Sequence, residues 1–189
     1  MNPDKLFEII KARRAVFPVQ YNNEEITESE LNRVLESANW APNHKRTEPW
    51  RFRVIRERAK QRFAEFMVQK YMDNTPAENQ SERKKLDIID KCNLSDTIIL
   101  IHQKTSGLVP EWEELAATSM AVQNMWLMAT ALRIGAYWSS PSAILQMEEF
   151  LPMEENEKCI GIFYMGKLNG SLPPGNRKPL ADKIQVIRN

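Results

Sequence analysis

The segment "APNHKRTEPWRFRVI", residues 41–55, joins two different kinds of local structure. Its second half alternates apolar and basic residues, so Trp50, Phe52 and Val54 share one face of a predicted strand. Its first half places a histidine, a lysine, an arginine and a glutamate within five positions, 44–48. The sequence leaves two interpretations of this charged loop open: a solvated connection between a helix and a strand, or the rim of a binding site.

Two helices are predicted before this segment. The first spans residues 3–15 and begins at Asn2 or Pro3, since proline is favoured in a first helical turn. The second begins at Thr27, where "TESE" forms a capping box with Glu30 three positions after the cap. The first strand of the chain therefore follows two helices.

The later part of the chain adds helices and strands without strict alternation. In chain order, the patterns predict a helix over 58–72, a polar, turn-rich and mobile stretch over 73–85, a short helix near 83–92, a strand over 97–101, a helix over 111–134 with Gly135 as its C-cap, a strand near 136–139, a helix over 141–151 and a strand over 159–166. We therefore predict an α+β fold with a mixed, mainly antiparallel sheet flanked by helices. The helix over 111–134 is apolar around most of its circumference, which indicates burial on all sides and, in a short chain, burial against another subunit.

Length and composition restrict the class of protein. The chain of 189 residues has no visible linker or repeat, so we predict one domain, residues 1–189. No apolar run approaches the ~20 residues that cross a membrane, and the N-terminus lacks the features of a secretory signal. Two cysteines without metal-ligand spacing indicate no metal site and a cytoplasmic location. A net charge of +1 gives no basic field to hold nucleic acid.

Any phosphate binding must depend on side chains, because neither glycine-rich phosphate motif occurs among the 6 glycines. Arg13 follows the apolar positions Ile9 and Ile10 by four and three residues, so it is expected on the apolar face of the first helix, where it needs an anion. Arg13 and the adjacent Arg14 fit a bound phosphate. By spacing alone, a favourable end to the helix dipole or a pair with a carboxylate explains them better, because basic pairs are common.

Other polar residues have ordinary structural explanations. Ser140 followed by Pro141 is typical of a helix start, with Ser140 as the cap, and Trp138 before it fits a core position. Arg177 lies in a proline-rich tail and fits an exposed charge. His102, at the end of a predicted strand, fits a buried structural histidine.

In their order and spacing, these segments resemble the short-form members of the nitroreductase superfamily of FMN-dependent oxidoreductases. The resemblance rests on "RRAV" (13–16), "ANWAPNHKRTEPWRFRVI" (38–55), "AATSMAVQNMWLMATALRIGAYW" (116–138) and "GIFYMGKLNG" (161–170). The second and third of these are the more specific, and the match covers nearly the whole chain. It implies the FMN-binding fold of that family, with a long central helix.

The resemblance also implies a site, a cofactor and a partner. The cofactor-binding residues would be Arg13, Arg14, Ala15 and Arg177 at the FMN phosphate, Asn43, His44 and Lys45 at the flavin edge, and Trp138, Ser139 and Ser140 along the ring. Guanidinium groups suit this task because they bind phosphate bidentately. The protein would be a homodimer with flavin at the subunit interface. No catalytic acid or base is assigned.

Two positions depart from the family pattern. Ala15 takes the place of a serine, so it offers no hydroxyl to the phosphate. Glu48 takes the place of a neutral amide. A carboxylate near an anionic reduced flavin is unfavourable unless it points away or pairs with Lys45 or Arg46.

The reaction implied is hydride transfer from NAD(P)H through flavin N5 to an electron-poor small molecule, nitroaromatic- or quinone-like, by a ping-pong mechanism. Lys45 with His44, or a backbone N–H of residues 138–140, would stabilise negative charge on the reduced ring, and residues 73–85 would form a lid. Three alternatives remain open. They are a flavin-binding protein without reductase turnover, a family member with other flavin chemistry (dehalogenation, ene reduction or flavin breakdown), and a non-flavin domain whose basic loop binds acidic partners.

Overall fold

The computed structural model describes residues 2–168, 170 and 172–188, and within them five α-helices surround one four-stranded sheet. The elements are α1 (Pro3–Ala12), α2 (Glu28–Ala38), β1 (Trp50–Ile55), α3 (Ala59–Asp73), α4 (Glu82–Leu94), β2 (Thr97–Lys104), α5 (Glu111–Ala131), β3 (Ile134–Ser139) and β4 (Glu157–Lys167). Short 3₁₀ helices lie at Pro18–Gln20, His44–Arg46, Ala77–Asn79, Ser142–Glu149 and Ala181–Lys183.

The sheet has the strand order β1-β2-β4-β3, and each neighbouring pair of these strands is antiparallel. A single parallel bridge joins Ala15 to Ala136 at the outer edge of β3. The predicted α+β fold with a mainly antiparallel sheet is therefore confirmed. β2 lies in the centre, and its side chains alternate between two hydrophobic cores.

The two cores lie on opposite faces of the sheet. Ile99 and Ile101 of β2 face α2 and α5, whereas Ile98 and Leu100 face α3 and α4. This arrangement is a sheet between two helical layers, each of which buries an apolar helix face. The long helix α5 packs on one face of the sheet, against β1, β2 and β3, and it contacts the candidate site residues described below.

Two helix starts follow their sequence signals. Asn2 caps α1, because its Oδ1 accepts hydrogen bonds from the backbone N–H groups of Asp4 (2.9 Å) and Lys5 (3.3 Å). The capping box of α2 is confirmed: the Thr27 N–H donates to Glu30 Oε2 at 3.0 Å, and the Glu30 N–H donates to Thr27 Oγ1 at 3.3 Å.

The first helix is shorter than predicted. It ends at Ala12, and Arg13 turns into an extended conformation with ψ 127°. The following residues leave the helix axis because they pair with β3, where the Val16 N–H donates to the Ala136 carbonyl at 3.0 Å. We expected Arg13 on the apolar face of α1. It is instead the C-cap residue that follows the helix.

The predicted end of the long helix was wrong. α5 ends at Ala131, and Arg133, with φ 58°, takes the left-handed position that we assigned to Gly135. Gly135 lies inside β3, and its lack of a side chain has another reason. A Cβ there would lie 2.7 Å from Leu168 Cδ2 and 2.9 Å from Tyr21 Cε1.

Two further expectations need correction. The predicted helix over 141–151 is the 3₁₀ helix Ser142–Glu149, and Ser140 does not cap it, because Pro141 occupies the cap position without a side-chain acceptor. The polar stretch 73–85 is partly helical. The Ser81 N–H donates to the Tyr71 hydroxyl at 2.9 Å, and α4 then begins at Glu82.

Candidate active site

Three arginines converge where α1 ends. Burial, followed by the positive charges of Arg177 and Arg14, lowers the pKa of Arg13. The Arg13 guanidinium also lies over the Trp126 ring of α5, 4.7 Å from its centroid. No carboxylate in the described part of the chain pairs with any of the three arginines. Within the described residues, this finding argues against a pair with a carboxylate, and three cations gathered without a counterion favour a bound anion.

The backbone of this cluster is fixed from two sides. The Trp126 indole N–H donates to the Arg14 carbonyl at 3.1 Å, which attaches the segment to α5. The parallel bridge between Ala15 and Ala136 attaches it to the edge of β3. Ala15 is exposed and offers only backbone groups and a methyl group to a ligand. The arginines therefore start from a defined position beside β3.

The end of β3 lies within reach of this cluster. Ser139 follows Ala136 by three residues, which corresponds to about 10 Å along a strand. Trp138 is half-buried, and its indole lies against Gly161 of β4, where a Cβ would be 1.7 Å from the indole nitrogen. Trp138 is thus held against the sheet, as a core residue would be. Ser139 is half-buried and Ser140 is exposed.

A cavity of about 200 Å³ adjoins Ser139, and sequence reasoning did not find it. Lys70, Lys84 and Lys91 line it from α3 and α4. Lys70 pairs with Glu149 and Asp73, but within the described residues no carboxylate forms an ion pair with Lys84 or Lys91. Burial, and then the charge of Lys84, lowers the pKa of Lys91.

The position of these lysines suits the stabilisation of negative charge at the end of β3. The only sequence signal for this lysine-lined cavity was the spacing of Lys84 and Lys91. They are seven residues apart and therefore share a helix face after two turns. That spacing is common on exposed helices. The cavity exists only because α3 and α4 meet the end of β3, which is far from them in the sequence.

The charged loop of residues 41–49 packs against the start of α5. His44 Nδ1 lies 2.6 Å from Glu113 Oε2, and Lys45 Nζ donates to the Leu108 carbonyl at 3.0 Å. Asn43 closes the loop, because its Oδ1 accepts the Glu48 N–H at 3.2 Å. His44 and Lys45 are themselves exposed.

The same loop contains three non-glycine residues in the left-handed region. Lys45, Arg46 and Glu48 have φ values of 51°, 57° and 42°. Each costs on the order of 1–2 kcal/mol relative to a right-handed conformation. Such strain persists only where neighbouring contacts hold it, and it occurs most often at functional sites. The Glu48 side chain is exposed and, among the described residues, pairs with neither Lys45 nor Arg46.

The predicted site residues form two groups that one chain does not bring together. Arg13 contacts α5 at Trp126, whereas His44 contacts it at Glu113. These two positions on α5 are thirteen residues apart, about 20 Å along the helix axis. The arginines and the end of β3 form one group, and residues 43–45 form the other.

An open groove of about 1320 Å³ lies between α1, α2 and the second half of α5. Its apolar lining includes Leu6 of α1, Leu35 of α2, Trp40 just after α2, and Leu127 and Met128 of α5. Only one side of α5 is buried in the described chain, although its sequence is apolar around most of its circumference. The groove is therefore an apolar surface of the kind that another protein surface covers.

Two negative findings concern the described residues. None of their helices is both long enough and apolar enough to span a bilayer. No group of three or more histidine, cysteine, aspartate or glutamate residues among them is arranged to hold a metal ion.

The chain is similar in sequence to known proteins over most of its length. The model described as "Nitroreductase family" matches residues 10–167. The Bacillus subtilis (strain 168) protein named "Putative NAD(P)H nitroreductase YfhC" is 27% identical over 186 residues, which cover 95% of this chain and 92% of that protein.

Solved structures share the fold. A crystal structure of a nitroreductase-like family protein from Bacillus cereus has a TM-score of 0.83 at 22% identity and covers 97% of this chain and 96% of that one. A crystal structure of the FMN-dependent nitroreductase NfnB from Mycobacterium smegmatis, in complex with NADPH, has a TM-score of 0.79 at 18% identity and covers 99% and 100%. At these identities, the likeness is one of fold.

Proposed function

This chain belongs to the nitroreductase family, whose model matches residues 10–167, and from that membership we propose that it is an FMN-dependent NAD(P)H oxidoreductase. The observation that carries the proposal is the group of Arg13, Arg14 and Arg177, which has no carboxylate partner in the described chain. A phosphate would supply the missing negative charge, and guanidinium groups bind phosphate bidentately. The similarity of this chain to a protein named as a putative NAD(P)H nitroreductase supports NAD(P)H as the electron donor.

The residues beside β3 fit FMN in a consistent order. The three arginines would hold the phosphate, and Ala15 would contribute backbone groups alone. Ser139, Ser140 and the backbone of Trp138 would hold the ring. When bound, FMN would supply the hydride chemistry between NAD(P)H and an electron-poor acceptor. Lys84 and Lys91 place positive charge at the cavity beside Ser139, where it stabilises negative charge.

We further propose that the protein is a homodimer in which the loop of residues 43–45 completes the partner's site. Three observations support this proposal. The loop is about 20 Å from the arginines along α5, an open groove of about 1320 Å³ lies beside α1, α2 and the second half of α5, and the side chains of Leu6 and Ile10 on α1 are exposed. A second copy of the chain would cover these apolar surfaces. Asn43, His44 and Lys45 would then approach the flavin edge from the partner subunit.

A substitution in the groove tests the dimer. Leu6 is already 46% exposed, so Leu6→Glu leaves the monomer folded but places a charge in the proposed interface. We expect wild-type protein to sediment as a dimer, and Leu6→Glu to sediment as a monomer with weakened FMN binding. Leu145→Glu is the control, because Leu145 is 76% exposed on the 3₁₀ helix Ser142–Glu149. An unchanged dimer in Leu6→Glu would contradict the assignment of the interface.

The acceptor is proposed to be a small nitroaromatic- or quinone-like molecule that follows NAD(P)H into the same site. This ping-pong order predicts parallel lines in double-reciprocal plots of initial rate against each substrate. Intersecting lines would show that both substrates bind at once. We also propose a single domain of residues 1–189 and a cytoplasmic location, in keeping with the two free, buried cysteines.

A further inference from the structure

We propose that His44 donates the proton that the acceptor requires on reduction, and that Glu113 positions the His44 imidazole for this transfer. The proposal rests on the proposed function. It adds a proton donor and a positioning residue to a site for which the sequence assigned no acid or base. It follows from the contact between the charged loop and the first turn of α5.

The geometry of the pair fixes the state of the imidazole. His44 Nδ1 lies 2.6 Å from Glu113 Oε2, and an ionised carboxylate can only accept a hydrogen bond. Nδ1 therefore carries a proton. Nε2 has no partner in the described chain, and the His44 side chain is 58% exposed, so this nitrogen is available to a ligand. The arrangement resembles the general case in which a carboxylate orients a catalytic histidine.

The helical turn that carries Glu113 is anchored to the preceding loop. The next residue, Glu114, is buried and accepts the Ser106 N–H on both carboxylate oxygens at 3.1 Å. Lys45 Nζ donates to the Leu108 carbonyl, so both sides of the contact are fixed. His44 lies next to Lys45 and Arg46, whose left-handed φ values persist only where neighbouring contacts hold the loop.

The charged groups around His44 come from two elements. Glu111, Glu113 and Glu114 lie in the first turn of α5, and Lys45 and Arg46 lie in the loop. Glu111 pairs with Lys158, and Glu114 is bound to the Ser106 backbone. Glu113 is therefore the carboxylate that faces the imidazole.

The proton balance of the reaction shows why a donor is needed. Reduction of a quinone to a hydroquinone takes two electrons and two protons. A hydride supplies both electrons and one proton, and the second proton must come from elsewhere. The Nε2–H bond of the His44 imidazolium breaks as an O–H bond forms on the acceptor. The ring is left as the neutral Nδ1–H tautomer, which Glu113 already holds, and solvent returns the Nε2 proton.

The kinetic test compares an acceptor that needs a proton with one that does not. Ferricyanide takes single electrons without a proton, so it reports electron delivery alone. In the FMN-loaded protein, we expect His44→Ala to lower the ratio of the quinone rate to the ferricyanide rate by about 10²-fold, the usual contribution of a general acid, because any loss of a flavin contact would slow both reactions alike. Glu113→Ala should slow quinone reduction about tenfold, the worth of one hydrogen bond to a charged group. Glu111→Ala is the matched control from the same helical turn and should change neither rate.

Each outcome bears on a different claim. Equal losses with quinone and ferricyanide would overturn the proton-donor role, because they would indicate a general effect on the site. An unchanged quinone rate in His44→Ala would also overturn it. If wild-type protein reduced neither acceptor, the proposed function would fail, and the tautomer measurement below would still test the positioning by Glu113.

Nitrogen-15 NMR of the imidazoles provides a test that is independent of activity. The chain has only two histidines, His44 and His102, so assignment needs one variant. Above neutral pH, wild-type His44 should be the Nδ1–H tautomer. Glu113→Ala should shift it to the Nε2–H form that free imidazole side chains favour, and Glu113→Gln should retain Nδ1–H, since its amide oxygen still accepts. A wild-type Nε2–H tautomer, or no change in Glu113→Ala, would show that Glu113 does not position the ring.

Discussion

Replacement of Arg13 by alanine tests the phosphate assignment, because Arg13 is half-buried and its guanidinium lies against the Trp126 ring. A bond between a charged donor and a charged acceptor contributes about 1.5–3 kcal/mol. Loss of one such bond should weaken FMN binding by about 10–150-fold, at tenfold per 1.4 kcal/mol. The remaining cations, Arg14 and Arg177, keep part of the affinity, so binding should be weakened but measurable.

The free protein should tolerate this change. Arg13→Ala removes a contact with the Trp126 ring worth about 0.5–1 kcal/mol at a partly exposed site. It also relieves the repulsion from Arg14 and Arg177, whose charges lower the pKa of Arg13. These two effects have opposite signs, so we expect the melting temperature to change little. A weakened flavin complex would then report binding and not unfolding.

Flavin fluorescence titration provides the assay, and riboflavin is its internal control because it lacks the phosphate. Arg13→Ala should reduce the affinity for FMN but leave that for riboflavin unchanged. Lys11→Ala is the matched variant, since it removes one positive charge from the last turn of α1, where Lys11 is paired with Glu8. Equal losses for FMN and riboflavin, or an unchanged FMN affinity, would refute the assignment of Arg13 to the phosphate.

Three other predictions concern the core and the cavity. Burial, followed by the charge of Arg53, lowers the pKa of His102 to about 4. As pH falls, the unfolded chain therefore binds this proton before the folded chain does. The free energy of unfolding should fall by up to about 1.4 kcal/mol per pH unit between pH 6.5 and pH 4. If a His102→Leu variant lost as much stability over this range, His102 would not be the cause. Gly161→Ala places a Cβ 1.7 Å from the Trp138 indole nitrogen. The free energy of unfolding, measured by denaturant titration, should therefore fall by about 1–3 kcal/mol. Unchanged stability would show that the indole can move. Lys91→Met should lower the flavin midpoint potential by about 30 mV, equal to ~1.4 kcal/mol for two electrons, and a potential that stayed constant would place the lysine away from the flavin.

The parts of the fold that local signals determine were predictable. The alternation in residues 50–55 predicted β1, and the capping box at Thr27 predicted the start of α2. The end of α5 was not predictable, since a glycine after a helix indicates a C-cap. Here Gly135 is required because Tyr21 and Leu168 pack where its side chain would be. Contacts between distant residues determined this position, and local sequence carries no record of them.

The same distinction applies to the candidate site. The resemblance identified Arg13, Arg14 and Arg177, and the structure brings their charges together. Lys84 and Lys91 were missed because their importance comes from the cavity that α3 and α4 form with Ser139. The separation of the arginines from residues 43–45 could not be predicted either. It depends on where each group contacts α5, Arg13 at Trp126 and His44 at Glu113. The unpaired Glu48 is the departure from the family pattern for which the structure gives no compensating partner among the described residues.

Anaerobic addition of NADH or NADPH to the purified protein, followed through the visible absorbance of the flavin, tests the central claim most directly. The account predicts a yellow protein whose flavin absorbance is lost on addition of one of these donors and recovered on addition of a quinone. A colourless protein that takes up no added FMN would contradict it. A yellow protein whose absorbance neither donor changes would contradict it as well, since it would bind flavin without reductase turnover.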